Sequence, residues 1–315
     1  MPSAVWASRC VAAGLLGVAA ASLAVALAPF GWPFELFAHF RWQLAAACVA
    51  LLLLCLPLRT RWMPAVAVLA LLCQAVSPAG ASWHPTRAGP TGCQGPRLRV
   101  ASVNLYFRNG DSRRVLRWLR SNPVDVLVLQ EFTPAWARAL QPVIRDYPHG
   151  LLLARDDPYG IALLSRLPLD SARAVDFAAD GLPSLVGQLR LDGRPLQVIG
   201  MHTHWPLVPG LLLARDLGLA HAAALVRGSS RPTVLVGDLN LTPYAPAFPR
   251  LLRESGLRDA FVGRWWRPTW QAGFEPLALP IDHALVPATS CVLQADIGLD
   301  VGSDHRPVQV TLTLP

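Results

Sequence analysis

Several short apolar runs in the later part of the chain stop at, or follow, residues able to do chemistry. Residues 98–103 end at Asn104, 125–129 run into Gln130 and Glu131, 196–201 run into His202, and 233–236 run into Gly237-Asp238-Leu239-Asn240. Pro280-Ile281 leads into Asp282 and His283, and Gly302-Ser303-Asp304-His305 precedes the last run. A polar group abutting an apolar run must be paired or used, because burying it alone is costly. One such residue is ordinarily a cap or a turn. Six clusters at the same place relative to their strands instead describe one rim of packed sheets, where a pocket forms.

The residue types say which chemistry. Glu131, Asp238, Asp282 and Asp304, with Asn104 and Asn240, are hard oxygen donors suited to Mg²⁺ or Mn²⁺ beside a substrate phosphate. The chain has no Cys-x-x-Cys pair and no His-Glu-x-x-His helix, which disfavours zinc. It also lacks the Gly-rich loops of nucleoside-triphosphate and dinucleotide enzymes. His202, His283 and His305 lie beside acids or strand ends, where imidazole gains basicity or, protonated, steadies developing negative charge. Together these groups suit hydrolysis of a phosphate ester.

The elements that must position them are mostly strands. Val-, Ile- and Leu-rich runs recur at 98–103, 125–129, 160–164, 185–191, 196–201, 233–236 and 281–286, and 308–314 alternates strictly, as a half-buried strand does. Helical patterns intervene: Val115, Leu116 and Leu119 behind a cap at Asp111 or Ser112, and a longer one over 208–226. The class expected is α+β, stacked sheets covered by helices. No period of 20–50 residues suggests a solenoid or propeller.

The 315 residues are 53% hydrophobic and 15% charged, against about 25% charged in ordinary soluble domains. The deficit belongs to the first 90 residues, whose only charges are Arg9, Glu35, Arg41, Arg59, Arg61 and Arg87. Apolar stretches there predict three membrane helices near 8–28, 42–58 and 62–78, flanked by Trp42 and Trp62 as interfacial anchors. Alternatives are a cleaved signal peptide plus a hairpin, or soluble core helices. The arginine positions put the amino terminus inside and everything after the third helix outside, in a multi-pass plasma or inner membrane protein. Residues 79–96 are Pro- and Gly-rich, a linker, and 97–315 form one domain. The net charge of +8 over the whole chain shrinks in that domain to +4, from 23 Arg against 19 acids, too little to identify a nucleic-acid binder. Cys93 and Cys291, the two cysteines outside the apolar helices, could pair in an oxidising compartment.

In this order and spacing the motifs resemble the endonuclease/exonuclease/phosphatase superfamily, specifically its deoxyribonuclease-like and sphingomyelinase-like members, in a membrane-anchored bacterial-type version. The resemblance runs through Val103-Asn104, Leu129-Gln130-Glu131, Gly160 to Ser165, His202, Gly237 to Asn240, Ile281 to His283 and Ser303 to His305. It implies a four-layer α/β/β/α sandwich of two packed β-sheets flanked by helices, and a metal-dependent phosphoric ester hydrolase. Glu131 would be the main metal ligand, with Asn104 and Asp304 supporting the metal or its waters. Asp238 would position or deprotonate the attacking water, Asn240 would bind the phosphate, and Asp282 would orient His305 toward it. His202 matches a histidine that assists the leaving group, with His204 the neighbouring alternative. Tyr106 stands where some members carry a second acidic ligand, which favours a one-metal site. Tyr159 is a candidate phosphate contact.

Trp205, Trp265, Trp266 and Trp270 would stack on bases, touch acyl chains, or belong to the core; Arg264 and Arg267, interleaved with two of them, favour substrate contact. The leading substrate on this reading is nucleic acid. The alternatives are a phospholipid, sphingolipid or inositol phosphate headgroup, and, in another class, an inactive membrane scaffold. No protein partner is legible.

Overall fold

The computed structural model describes residues 2–58, 60, 62–76, 93–264, 266–271 and 273–314. Arg59, Arg61, Trp265, most of the predicted linker and the end of the predicted third membrane helix lie outside the described residues. The chain divides into two compact units.

One unit holds the apolar helices α1 (Pro2–Ala26), α2 (Phe34–Ala38), α3 (Arg41–Cys55) and α4 (Trp62–Val76). Two later segments, Pro206–Leu212 and Thr242–Pro249, belong to this unit as well. Trp32 Nε1 donates to the Leu207 carbonyl at 3.1 Å, His39 Nδ1 lies 3.0 Å from Thr242 Oγ1, and the Trp42 ring meets Tyr244 edge-on. Residues Trp6–Ala26 and Arg41–Leu58 are long and apolar enough to cross a membrane, as the sequence predicts. The third predicted span is described only as α4, 15 residues or about 22 Å of helix against a hydrocarbon core of about 30 Å, with 77–78 outside the described residues. A helix later in the chain, Pro209–Gly228, also meets the length and hydropathy condition.

The other unit contains two six-stranded sheets. Its strands are β1 (Arg97–Asn104), β2 (Val126–Gln130), β3 (His149–Leu153), β4 (Ile161–Ser165), β5 (Leu169–Asp176) and β6 (Pro183–Leu191). They continue with β7 (Arg194–His202), β8 (Thr233–Asp238), β9 (Leu257–Asp259), β10 (Asp282–Pro287), β11 (Cys291–Ile297) and β12 (Val308–Thr313). The sheet orders are β11-β12-β1-β2-β4-β3 and β5-β6-β7-β8-β10-β9. The strands are connected through helices α5 (Ser112–Ser121), α6 (Pro134–Ala139), α7 (Gln141–Ile144), α8 (Pro209–Gly228) and α9 (Ala247–Ser255), the last two starting in segments counted with the first unit.

Period-2 side chains divide each strand between two cores. Val100, Val128 and Leu163 of the first sheet meet Val198, Val236 and Ala284 of the second. Ala101, Val103, Leu127 and Leu129 face the other way, onto Val115 and Leu119 of α5 and onto Trp136 and Leu140. Strands buried on both faces read as continuous apolar runs, which is why they stand out in the sequence. Cys93 and Cys291 are joined in a disulfide, so the strand-flanking cysteines pair.

Two pairs of strands are parallel, β1 with β2 and β7 with β8. A parallel pair requires a crossover, supplied by α5 in one sheet and α8 in the other. The ends of all four strands therefore lie at one rim. The antiparallel partners β10 and β12 begin at that same rim, and Asp282 stands opposite Asp238 in register. Close strand approach there requires glycine: a Cβ on Gly237, at φ 150°, would sit 1.8 Å from the Met201 carbonyl oxygen.

Candidate active site

The rim gathers Asn104, Glu131, His202, Asp238, Asp282 and His305, all buried. Asn104, at the end of β1, accepts the Tyr106 N–H on its Oδ1, which turns its amide nitrogen toward Oε1 of Glu131 and Oδ2 of Asp238, both at 3.0 Å. Glu131 Oε2 accepts the Phe107 N–H at 2.8 Å. Tyr106, Glu131 and Asn240 have φ values of 56°, 54° and 43°, uncommon for residues with a Cβ. Such backbone strain persists only where the surroundings hold it, and three of the six non-glycine examples among the described residues fall just past these strand ends.

From the second sheet, Asp238 accepts the Asn240 N–H on Oδ1 at 2.9 Å, while His202 Nε2 and His305 Nε2 each lie 3.6 Å from its Oδ2. Asn240 donates its amide to the Thr203 carbonyl at 2.8 Å. His305 Nδ1 donates to Asp282 Oδ2 at 2.9 Å, and the Asp282 backbone N–H is held by Thr269 Oγ1. Burial raises the Asp238 carboxyl to about 7, against the lowering effect of His305. Burial would lower the His305 imidazole, yet Asp282 and Asp238 outweigh it and raise it to about 10. His202 has no such pair, and burial lowers it to about 4 despite Glu131.

The donor set fits a hard divalent cation. Asp304 Oδ1 is buried with no hydrogen-bond partner, a carboxylate oxygen awaiting a positive group. Glu131, the other carboxylate expected to hold it, accepts from Asn104 and from the Phe107 N–H. Asp238, Asp282 and His305 also come within ligating range of one another. His305, however, is held as a cation by Asp282, and an imidazolium has no lone pair for a metal.

Tyr159, His204 and Trp270 form the surroundings. Tyr159 lies between two imidazoles, its ring centroid 5.8 Å from His202 and 5.2 Å from His204. Trp270 bridges His305 through the backbone and meets the Trp205 ring edge-on at 5.4 Å. Two sequence expectations need correction. Arg267 is buried and forks onto Asp259, so it faces the core rather than a substrate. His283 points away from Asp282, as alternate strand residues must, and bonds the Leu241 carbonyl at 2.6 Å. Three residues of the neighbourhood carry no signal in the sequence: Thr269 behind Asp282, Asp180 beside His204, and Arg215, fully buried on α8 with Nη1 3.4 Å from the Asn240 carbonyl.

Acids, amides and an imidazolium held by Asp282 thus meet at the joined rims of the two sheets. Residues 101–305 match the Endonuclease/Exonuclease/phosphatase family, and the chain belongs to it. The sequence is 25% identical over 192 residues to an inositol phosphosphingolipids phospholipase C of Saccharomyces cerevisiae. That match covers 52% of this chain and 38% of the yeast protein, so the chain spans well under half of that relative's length. Among solved structures, an endonuclease/exonuclease/phosphatase from Bacteroides vulgatus superposes with a TM-score of 0.59 at 17% identity, covering 70% of this chain and 99% of that one. TDP2 of D. rerio, complexed with a single-strand DNA product, gives 0.58 at 18%, covering 69% and 99%. These likenesses extend to the fold, the α+β sandwich of two sheets flanked by helices.

Proposed function

We propose that this chain is a membrane-anchored, divalent-metal-dependent phosphodiesterase. The observation that carries this reading is the convergence of Glu131, Asp238, Asp282, Asp304 and His305 at one rim, with the Asp304 oxygen unpaired. Glu131 and Asp304 would hold Mg²⁺ or Mn²⁺, with Asn104 bracing Glu131. When bound, the cation supplies Lewis-acid polarisation of a phosphoryl oxygen.

The chain's own groups do the rest. Asp238, raised to about 7, takes a proton from the attacking water, a base matched to neutral pH. His305, kept cationic by Asp282, and the second N–H of the Asn240 amide steady the charge that builds on the phosphoryl oxygens. His202 lines the site next to Asp238.

For the substrate, we favour a lipid phosphodiester over the nucleic acid with which the sequence reading leads. Trp205, Phe274 and Leu277 expose 50%, 54% and 46% of their surface in the loops after β7 and before β10. A polynucleotide track needs unpaired cations. Arg155, Arg264, Arg267 and Arg306 are instead paired with Asp157, Asp296, Asp259 and Glu275, while Arg108, over the Phe107 ring, has no ion pair among the described residues. The disulfide supports an oxidising, extracytoplasmic compartment.

The test is a substrate panel on the full chain in phosphatidylcholine vesicles with Mg²⁺: sphingomyelin, phosphatidylinositol, inositol phosphates, single- and double-stranded DNA, and RNA, with His305→Ala as control. Headgroup release that vanishes in the control is expected. Faster cleavage of DNA or RNA would restore the nucleic-acid reading, and no turnover of anything by folded protein would leave the scaffold.

A further inference from the structure

Beside His202 runs a second hydrogen-bonded chain: Tyr159 Oη to His204 Nδ1 at 3.2 Å, then His204 Nε2 to Asp180 Oδ2 at 2.9 Å. Its members come from three separate loops, before β4, after β7 and between β5 and β6. Asp180 is fixed in its turn: its backbone N–H is held by Asp176 Oδ1, and its own Oδ1 accepts the Leu182 N–H, which leaves Oδ2 for the imidazole. Ala179 and Gly181, on either side of it, both have positive φ.

The polarity of this chain follows from its end. A carboxylate only accepts, so His204 Nε2 carries a hydrogen. Nδ1 of the same ring faces the Tyr159 oxygen and fixes where the hydroxyl stands beside the cleft. His202 is arranged differently. Its Nε2 faces Asp238, its Nδ1 is buried with no hydrogen-bond partner, and burial keeps the ring neutral near pH 7.

We propose that Tyr159, oriented by the positioning residues His204 and Asp180, donates the proton that the departing oxygen of the phosphodiester takes up. The proposal rests on the phosphodiesterase reading above. As water bonds to phosphorus and gives its proton to Asp238, the bond from phosphorus to the leaving oxygen breaks and its electron pair stays on that oxygen. The Tyr159 hydrogen moves to this oxygen, and to complete the turnover Asp238 gives its proton to solvent while solvent returns one to the half-buried Tyr159. Atoms and charge balance as one water consumed, with a phosphomonoester and an alcohol formed.

An alkoxide needs that proton, whereas a nitrophenolate leaves without it. The experiment measures kcat of the full chain with Mg²⁺ on the p-nitrophenyl, phenyl and benzyl esters of methyl phosphate. Tyr159→Phe is expected to widen the ratio of nitrophenyl to benzyl rates by about 100-fold, within the range for general acid catalysis. His204→Gln and Asp180→Asn should widen it less, and His202→Ala should shift all three rates together. An unchanged ratio in Tyr159→Phe and His204→Gln overturns the proposal, as does a ratio that widens in His202→Ala instead. Wild-type protein inactive on all three esters and on the substrate panel would sink the phosphodiesterase reading itself, a separate outcome.

Discussion

The two crossover units β1-α5-β2 and β7-α8-β8 share a topology and differ in what they carry. Each is a parallel pair in the middle of a six-stranded sheet, and each delivers two strand ends to the same rim. The first ends in Asn104 and, one residue past β2, Glu131; the second ends in His202 and Asp238. The first crossover helix is an ordinary amphipathic one, capped by Asp111 and buried through Val115 and Leu119. The second buries an arginine, Arg215, whose guanidinium reaches the Asn240 carbonyl. The difference teaches that topology makes the rim, while residue type sets what each half offers: on the proposed function, one half would hold the cation and the other would move protons.

That division can be broken by substitution. Asp238→Asn in the second half should have the largest effect, a loss in kcat of about 10⁴-fold with the Mg²⁺-induced rise in Tm intact. Glu131→Gln in the first half should cost about 10³-fold and abolish that rise, which in the wild type is worth about 2.7 kcal/mol at a hundred times Kd. If Asp238→Asn also abolished the rise, the halves would not be separable. Chelation of the wild type should reproduce the activity loss of Glu131→Gln, and added Mg²⁺ should reverse it. The crossover helices sharpen the contrast at smaller scale. Arg215→Leu should lower stability by about 2 kcal/mol, because partners of a buried charge are left behind, and should lower kcat through the Asn240 loop. Asp111→Ala should cost about 1 kcal/mol in urea denaturation with kcat within about twofold of the wild type.

The central strands were legible in the sequence because burial on both faces makes them apolar throughout, as in Val126 to Gln130, buried at every position. The edge strands were not. β5 reads Leu-Asp-Ser-Ala-Arg-Ala-Val-Asp and is exposed along most of its length, so it has no apolar signature and exists by pairing with β6. Likewise the Trp- and Arg-rich stretch near 264–270 suggests a contact surface, yet Arg267 finds Asp259 in the core because burial demands a partner for its charge. Of the Tyr159–His204–Asp180 chain, the first two were candidates from the sequence, but Asp180 was not, because it sits among turn residues whose polarity is ordinary.

By itself the amino-acid sequence determined the order of the strands, the donor types at their ends and the apolar character of the first 80 residues, since these depend on local alternation and composition. Only the tertiary structure decided which ends meet. Nδ2 of Asn104 falls between Glu131 and Asp238, residues 27 and 134 positions away, and Cys93 meets Cys291 across 198 residues. Those distances come from the pairing of parallel strands and the packing of two sheets, which no local pattern encodes. The same packing turned His305 toward Asp282 and His283 away from it, giving two neighbouring histidine motifs opposite fates.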